Sequence, residues 1–268
     1  MKSVEVLRTL AKRMSLERPV YLKVVEGEME CWSQAAITLD GRKIHLIYAS
    51  PDLLNNFSEE YLPRFLRVIT MCKMGEEFGE AFEDMRVRVD ITKITKEEGQ
   101  RRIDLFLNFG FYPIYILLCE LVYSLLGEEA IKILLISSKI NFYQVSEALF
   151  EEKMQLWMNT QRIPIFRTLV DPEELKWELA TIPVIQQRFE INVWDEEEII
   201  SFLEEEETEF ERIVEVLKEV PTISKGKNEI PAKMERILGK IFSSFFNEEW
   251  RPRLIQEPRL NRTIWILE

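Results

Sequence analysis

An apolar run from Phe111 to Leu126 contains Pro113 and Glu120 and is closed by Gly127-Glu128-Glu129. A membrane span needs about 20 apolar residues. A shorter run carrying a proline and a carboxylate predicts instead the central helix of a packed core, with no membrane association. The 268 residues, 46% of them hydrophobic, supply enough material to wrap that helix in one large domain or two modest ones.

Charged residues make up 31% of the chain, with Glu, Lys, Arg and Ile favoured and a single histidine, a balance that leans towards a thermophile. Cys31, Cys72 and Cys119 are far apart and form no CxxC pair, which argues against a disulfide framework or a zinc knuckle and fits a reducing cytoplasm. The N-terminus, MKSVEVLRTLAKRMSLERP, lacks the apolar core of a signal peptide.

A short helix near 4–14 leads into three strands, PVYLKVV (19–25), MECWSQAAITL (29–39) and KIHLIYA (43–49), with turn signals at Glu26-Gly27 and Asp40-Gly41. These predict an N-terminal antiparallel β-meander. Helices follow near 51–56, 58–92, 96–108, 112–137, 142–160, 172–180, 195–219 and 230–246. Ser50-Pro51, the Thr95-x-x-Glu98 box and Asp171-Pro172 mark three of their starts. RIPIFRTLV (162–170) reads as a division between 1–165, the meander with its helical body, and 166–268, a smaller C-terminal α/β lobe. In that lobe 183–194 and 263–267 read as strands of a small sheet, and 221–228 as a loop. The fold class expected is α+β, predominantly helical.

Charge is unevenly spread. Between Glu190 and Val220 thirteen acidic residues face two basic ones, so this segment carries nearly all of the net charge of −12, and a net-positive segment, 225–262, follows. Asp195 and Glu198 suit the first turn of a helix. Glu204, Glu205, Glu206 and Glu207 form a solvated face, a partner for the basic C-terminal segment, or a docking surface for a basic protein.

Few residues here can do chemistry. Ser58-Glu59-Glu60 after a strand and short turn resembles the approach to the HExxH helix of zincin metallopeptidases. That motif is absent: Val68-Ile69-Thr70-Met71-Cys72 stand where two histidines belong, so no tetrahedral N/S zinc site is expected there. Glu76, Glu80 and Glu83 share a helical face, with Asp84 beside them, and read either as a hard-cation site or as an exposed ladder answered by Lys73, Arg86 and Arg88. Glu120 is a general acid or base, or a structural anchor with Tyr123 and Ser124 as donors. His45, on a strand face with Lys43 and Ile47, is the residue that any Ser-His-Asp or Cys-His arrangement must use.

There is no GxGxxG after a strand and no GxxxxGK[ST], so no cofactor is expected. Basic and aromatic residues alternate around Trp250, Arg251, Arg253, Arg259, Arg262 and Trp265, but a pI near 4.9 argues against a nucleic-acid partner. The expectation is a non-catalytic or accessory protein acting through protein contacts or as a homo-oligomer. The alternative is a divergent, degenerate zincin-like hydrolase using the carboxylate cluster and a divalent cation.

Overall fold

The strands make two three-stranded sheets, one from the N-terminal segment and one from the C-terminal hairpin joined by a short strand at 87–89. The computed structural model describes residues 3–26, 31–55, 58–90, 92, 94–150, 172–201, 207–259 and 261–268. The fold is predominantly helical α+β. Helix α1 (Ser3–Arg13) buries Val6, Leu7 and Leu10, spaced to lie on one face, and precedes β1 (Val20–Val24), β2 (Cys31–Ile37) and β3 (Lys43–Ala49).

The β2–β3 hairpin forms at Asp40-Gly41, where Gly41 takes a positive φ of 83°. The meander does not form. The strand order is β1-β3-β2, and β1 runs parallel to β3. The reason lies in burial: β3 is the most buried strand and takes the centre, where both of its edges are paired, whereas β1 is largely exposed.

The predicted helix over 58–92 is divided. After the short helix α2 (Pro51–Asn55), a 3-10 turn capped by the Ser58 hydroxyl leads into α3 (Leu62–Phe78) and then α4 (Ala81–Asp84). Gly79, at φ 108°, ends α3, and a Cβ there would lie 2.5 Å from Thr263 Oγ1. Left-handed Met85 ends α4, and β4 (Val87–Val89) follows. Helix α5 (Lys96–Phe109) starts at Thr95, whose hydroxyl accepts the Glu98 amide as its spacing predicts. At Ser50 the hydroxyl is buried without a hydrogen-bond partner and caps nothing.

Helix α6 (Phe111–Leu126) is the central helix, with ten of its sixteen residues buried. With α5 it is long and apolar enough to cross a membrane by length and composition, but 78% of its most apolar window is buried inside the structure, as in a core helix. Helix α7 (Glu128–Phe150) follows. The proposed division at 162–170, the cap at Asp171 and the end of the predicted 142–160 helix lie outside the described residues.

The 183–194 strand is replaced by α8 (Pro172–Phe189), which runs through Pro183, and by a turn. Trp177, Ala180, Val184 and Ile185 are buried at helical spacing. The turn has no need of a sheet, because Gln186 Oε1 accepts the amides of Val193 and Trp194 and its Nε2 donates to the Trp194 carbonyl. After α9 (Glu196–Ser201), α10 (Glu207–Lys218) and α11 (Ile230–Phe245), strands β5 (Pro252–Glu257) and β6 (Arg262–Leu267) form a hairpin. Strand β6 takes the centre and pairs in parallel with β4, so the sheet partner of 263–267 comes from residues 87–89 and 252–257. A single hydrophobic cluster runs from Val6 to Leu267.

Candidate functional site

The inner face of β3 places His45 against α3 and α4, fully buried between two carboxylates. Its Nδ1 lies 2.8 Å from Glu83 Oε2 and its Nε2 3.2 Å from Glu76 Oε1. Glu83 reaches this position because Gly75 faces it: a Cβ there would stand 2.6 Å from Glu83 Oε2.

Glu76 is held by four donors. Its Oε1 also accepts the amides of Glu17 at 2.8 Å and Arg18 at 2.7 Å, and its Oε2 accepts Lys73 Nζ at 3.2 Å. Burial pushes its pKa up, but the bonds from His45, the Arg18 amide, Lys73 and the Glu17 amide outweigh that and hold it at about 2. For His45, burial works against the charged ring, yet the bonds to Glu76 and Glu83 win and raise its pKa. Glu83 is raised by burial, and so is the Cys72 thiol.

Glu80 faces elsewhere. Its Oε1 meets Lys43 at 2.8 Å and Arg18 at 3.1 Å, while Oε2 accepts the Thr263 amide at 3.1 Å. Asp84 pairs with Arg86 at 3.0 Å. The four predicted cation ligands are therefore mostly buried rather than forming an exposed ladder. Glu76, Glu80 and Asp84 are each occupied by donors, Arg18 serving Glu76 through its amide and Glu80 through its guanidinium, while His45 joins Glu76 to Glu83.

The pH dependence of stability follows from Glu76. A carboxyl held at about 2 instead of 4.5 contributes stability above about pH 4.5, which is lost as the pH falls towards 2. The expected size is about 2–3 kcal/mol. Urea melts over this range should show Glu76→Gln losing less stability between pH 4.5 and 2 than the parent protein. Parallel curves for the two proteins contradict the assignment.

Glu120 is an anchor, through donors other than those expected. Its Oε2 binds Arg188 Nη1 at 2.8 Å and its Oε1 accepts the Ile223 amide at 2.8 Å. Near it in the helical body lies a polar group that sequence reasoning missed: Arg67 over the Tyr115 ring, with Glu178 raised to about 6 by burial despite Arg67. A carboxylate inside the apolar face of WELATIPVI was the available signal.

Glu204, Glu205 and Glu206 lie outside the described residues, and Glu207 opens α10. Helices α8, α9 and α10 line a groove whose residues include Glu190, Asp195, Glu196, Glu211 and Glu215. Asp195 and Glu198 form the predicted box in one direction, the Glu198 carboxylate accepting the Asp195 amide at 3.0 Å. Pairing between the acidic segment and the basic C-terminal segment is made by Lys240 with Glu219, whereas Lys227 pairs with Glu77 and Arg262 with Glu257. Trp250 and Trp265 are buried, so neither indole offers a stacking face to a base.

The outer face of the N-terminal sheet is unusually aromatic. Lys23, Tyr48 and Trp32 form one row across the three strands, with the two rings stacked 5.0 Å apart and the ammonium 5.2 Å from the Tyr48 ring. On this face Tyr21 is 52% exposed and Trp32 41%, and on the opposite face of β1 Val24 is 59% exposed. The Pro19 carbonyl accepts the His45 amide and the Val25 amide donates to Ala49. Odd-numbered residues therefore bond to β3, and the backbone groups of Val20, Leu22 and Val24 point to a free edge. Among the described residues no strand pairs with that edge.

No known protein family, curated protein or solved structure matches this chain.

Proposed function

We propose that this protein acts without catalysis, through protein contacts made by the free edge of β1 and the aromatic outer face of its sheet. An unprotected apolar edge strand is the observation that carries this reading. Edge strands are normally blunted by charge, proline, bulges or cover. Strand β1, VYLKV, has no proline or bulge, and its one charge lies over the Tyr48 ring.

The partner this edge fits is a second copy of the chain. Antiparallel pairing about a two-fold axis at Leu22 sets Leu22 against Leu22, Val20 against Val24 and Tyr21 beside Lys23. The residues so paired are those whose backbone groups are free, and no like charges meet. The three free thiols support a reducing cytoplasm as the setting. The hydrolase alternative is less well supported, because His45 has no route to a substrate and Glu76, Glu80 and Asp84 are occupied by donors.

Val24→Pro tests the reading. The Val24 amide points away from β3, so the substitution removes an edge donor without touching the β1–β3 ladder. Sedimentation should show a dimer for the parent protein and a ten- to hundredfold weaker dimer for the variant, as expected for about 2 kcal/mol of lost ladder bonds. Identical sedimentation of the two proteins overturns the proposal.

A further inference from the structure

Cys72 lies one helical turn before Glu76 on α3. Its Sγ, a ring nitrogen of His45 and a carboxylate oxygen of Glu83 all fall within 4.8 Å of one another, and all three residues are buried. Among the described residues no other His, Cys, Asp or Glu trio brings its ligand atoms so close. A second observation is independent of this convergence. Glu83 is 2% exposed, yet its Oε1 has no hydrogen-bond partner. Buried oxygens without partners are rare in proteins.

We propose that His45, Cys72 and Glu83 form a binding site for one divalent transition-metal ion, Zn²⁺ foremost. Thiolate and imidazole select such an ion over Mg²⁺ or Ca²⁺, which take oxygen ligands. Zn–S near 2.3 Å and Zn–N or Zn–O near 2.1 Å set donors about 3.2–3.8 Å apart. His45 Nδ1 and Glu83 Oε2, now 2.8 Å apart, need to part by about 0.6 Å. Nε2 is held by Glu76, which the Glu17 and Arg18 amides and Lys73 fix in turn. That is the carboxylate behind the histidine that orients metal-binding imidazoles.

Loading exchanges the Cys72 thiol proton and the proton on Nδ1 for a dication, so the charge of this buried cluster is unchanged. The three ligands come from β3, α3 and α4. The ion is therefore a staple between the sheet and the helices, and it is independent of the β1 edge.

The test is to unfold the full-length protein with chelator, refold it with one equivalent of Co²⁺, and record the thiolate-to-cobalt charge-transfer and d–d bands. The parent protein is expected to show both bands, to lose them to Zn²⁺, and to melt at a higher temperature when loaded. Cys72→Ser should lose the charge-transfer band, whereas Cys119→Ser, altered at the other fully buried thiol, should keep it. Zinc X-ray absorption of the loaded parent protein should report one sulfur neighbour, which holds the proposal to account even if Cys72→Ser does not fold. A natively folded parent protein without cobalt bands, a charge-transfer band that survives Cys72→Ser, or zero or two sulfur neighbours overturns the site.

Discussion

Glu120→Leu is expected to lower the stability of the protein by about 3–5 kcal/mol, among the largest effects available to a single substitution. The volume is nearly conserved, so the loss does not come from a cavity. It comes from a guanidinium left in a mostly buried site without its counter-ion and from an Ile223 amide without its acceptor. Arg188 also donates to the Val220 carbonyl at 2.7 Å, so the pair ties α6, α8 and the 220–223 turn together. The double variant Glu120→Leu, Arg188→Leu should recover part of the loss, because the unpaired charge goes while the Val220 and Ile223 groups stay unsatisfied. Denaturant melts of the three variants measure this. A loss under 1 kcal/mol for Glu120→Leu contradicts the anchoring role.

Trp265→Ala is expected to cost about 3–5 kcal/mol by leaving a large cavity. Its indole packs against Phe82 at 5.4 Å and Phe106 at 5.6 Å, its Nε1 donates to the Ala81 carbonyl at 3.1 Å, and β6 beneath it pairs with β4. These contacts join the C-terminal hairpin to elements more than 150 residues earlier in the chain. The variant should therefore unfold in one cooperative transition shifted to lower denaturant. Two separate transitions, with only one of them shifted, contradict a core shared across the chain.

What the sequence made legible was what short-range chemistry determines. Asp40-Gly41 marked a hairpin that forms, Thr95 and Glu98 marked a cap that forms, and the apolar run around Glu120 became the buried central helix. Glu120 could be read as an anchor because an ionised group in such a run must be paired. Its partner Arg188, 68 residues away, could not be read. Strand β4 was hidden because three residues, Val87 to Val89, carry too little alternation to stand out from a helical pattern. Pro183 pointed to a break, yet the buried face of α8 and the Gln186 side chain carry the backbone past it.

The candidate site shows the same limit. The alternation of β3 placed His45 on one face with Ile47, and helical spacing grouped Glu76, Glu80 and Glu83. Positive φ at Gly79 and the turn into α4 then swing Glu83 back over Gly75, onto the ring that Glu76 already holds. Only the tertiary fold brings Cys72 to the same place.

Pairing of β1 with a second copy protects the amides on its free edge from exchange. Amide hydrogen exchange at Val20, Leu22 and Val24 tests it most directly, because these are the backbone groups left unpaired within one chain. Slow exchange is expected at high protein concentration, quickening on dilution, while Tyr21 and Lys23, bonded to β3, stay slow throughout. Fast exchange at Leu22 and Val24 at every concentration would contradict it.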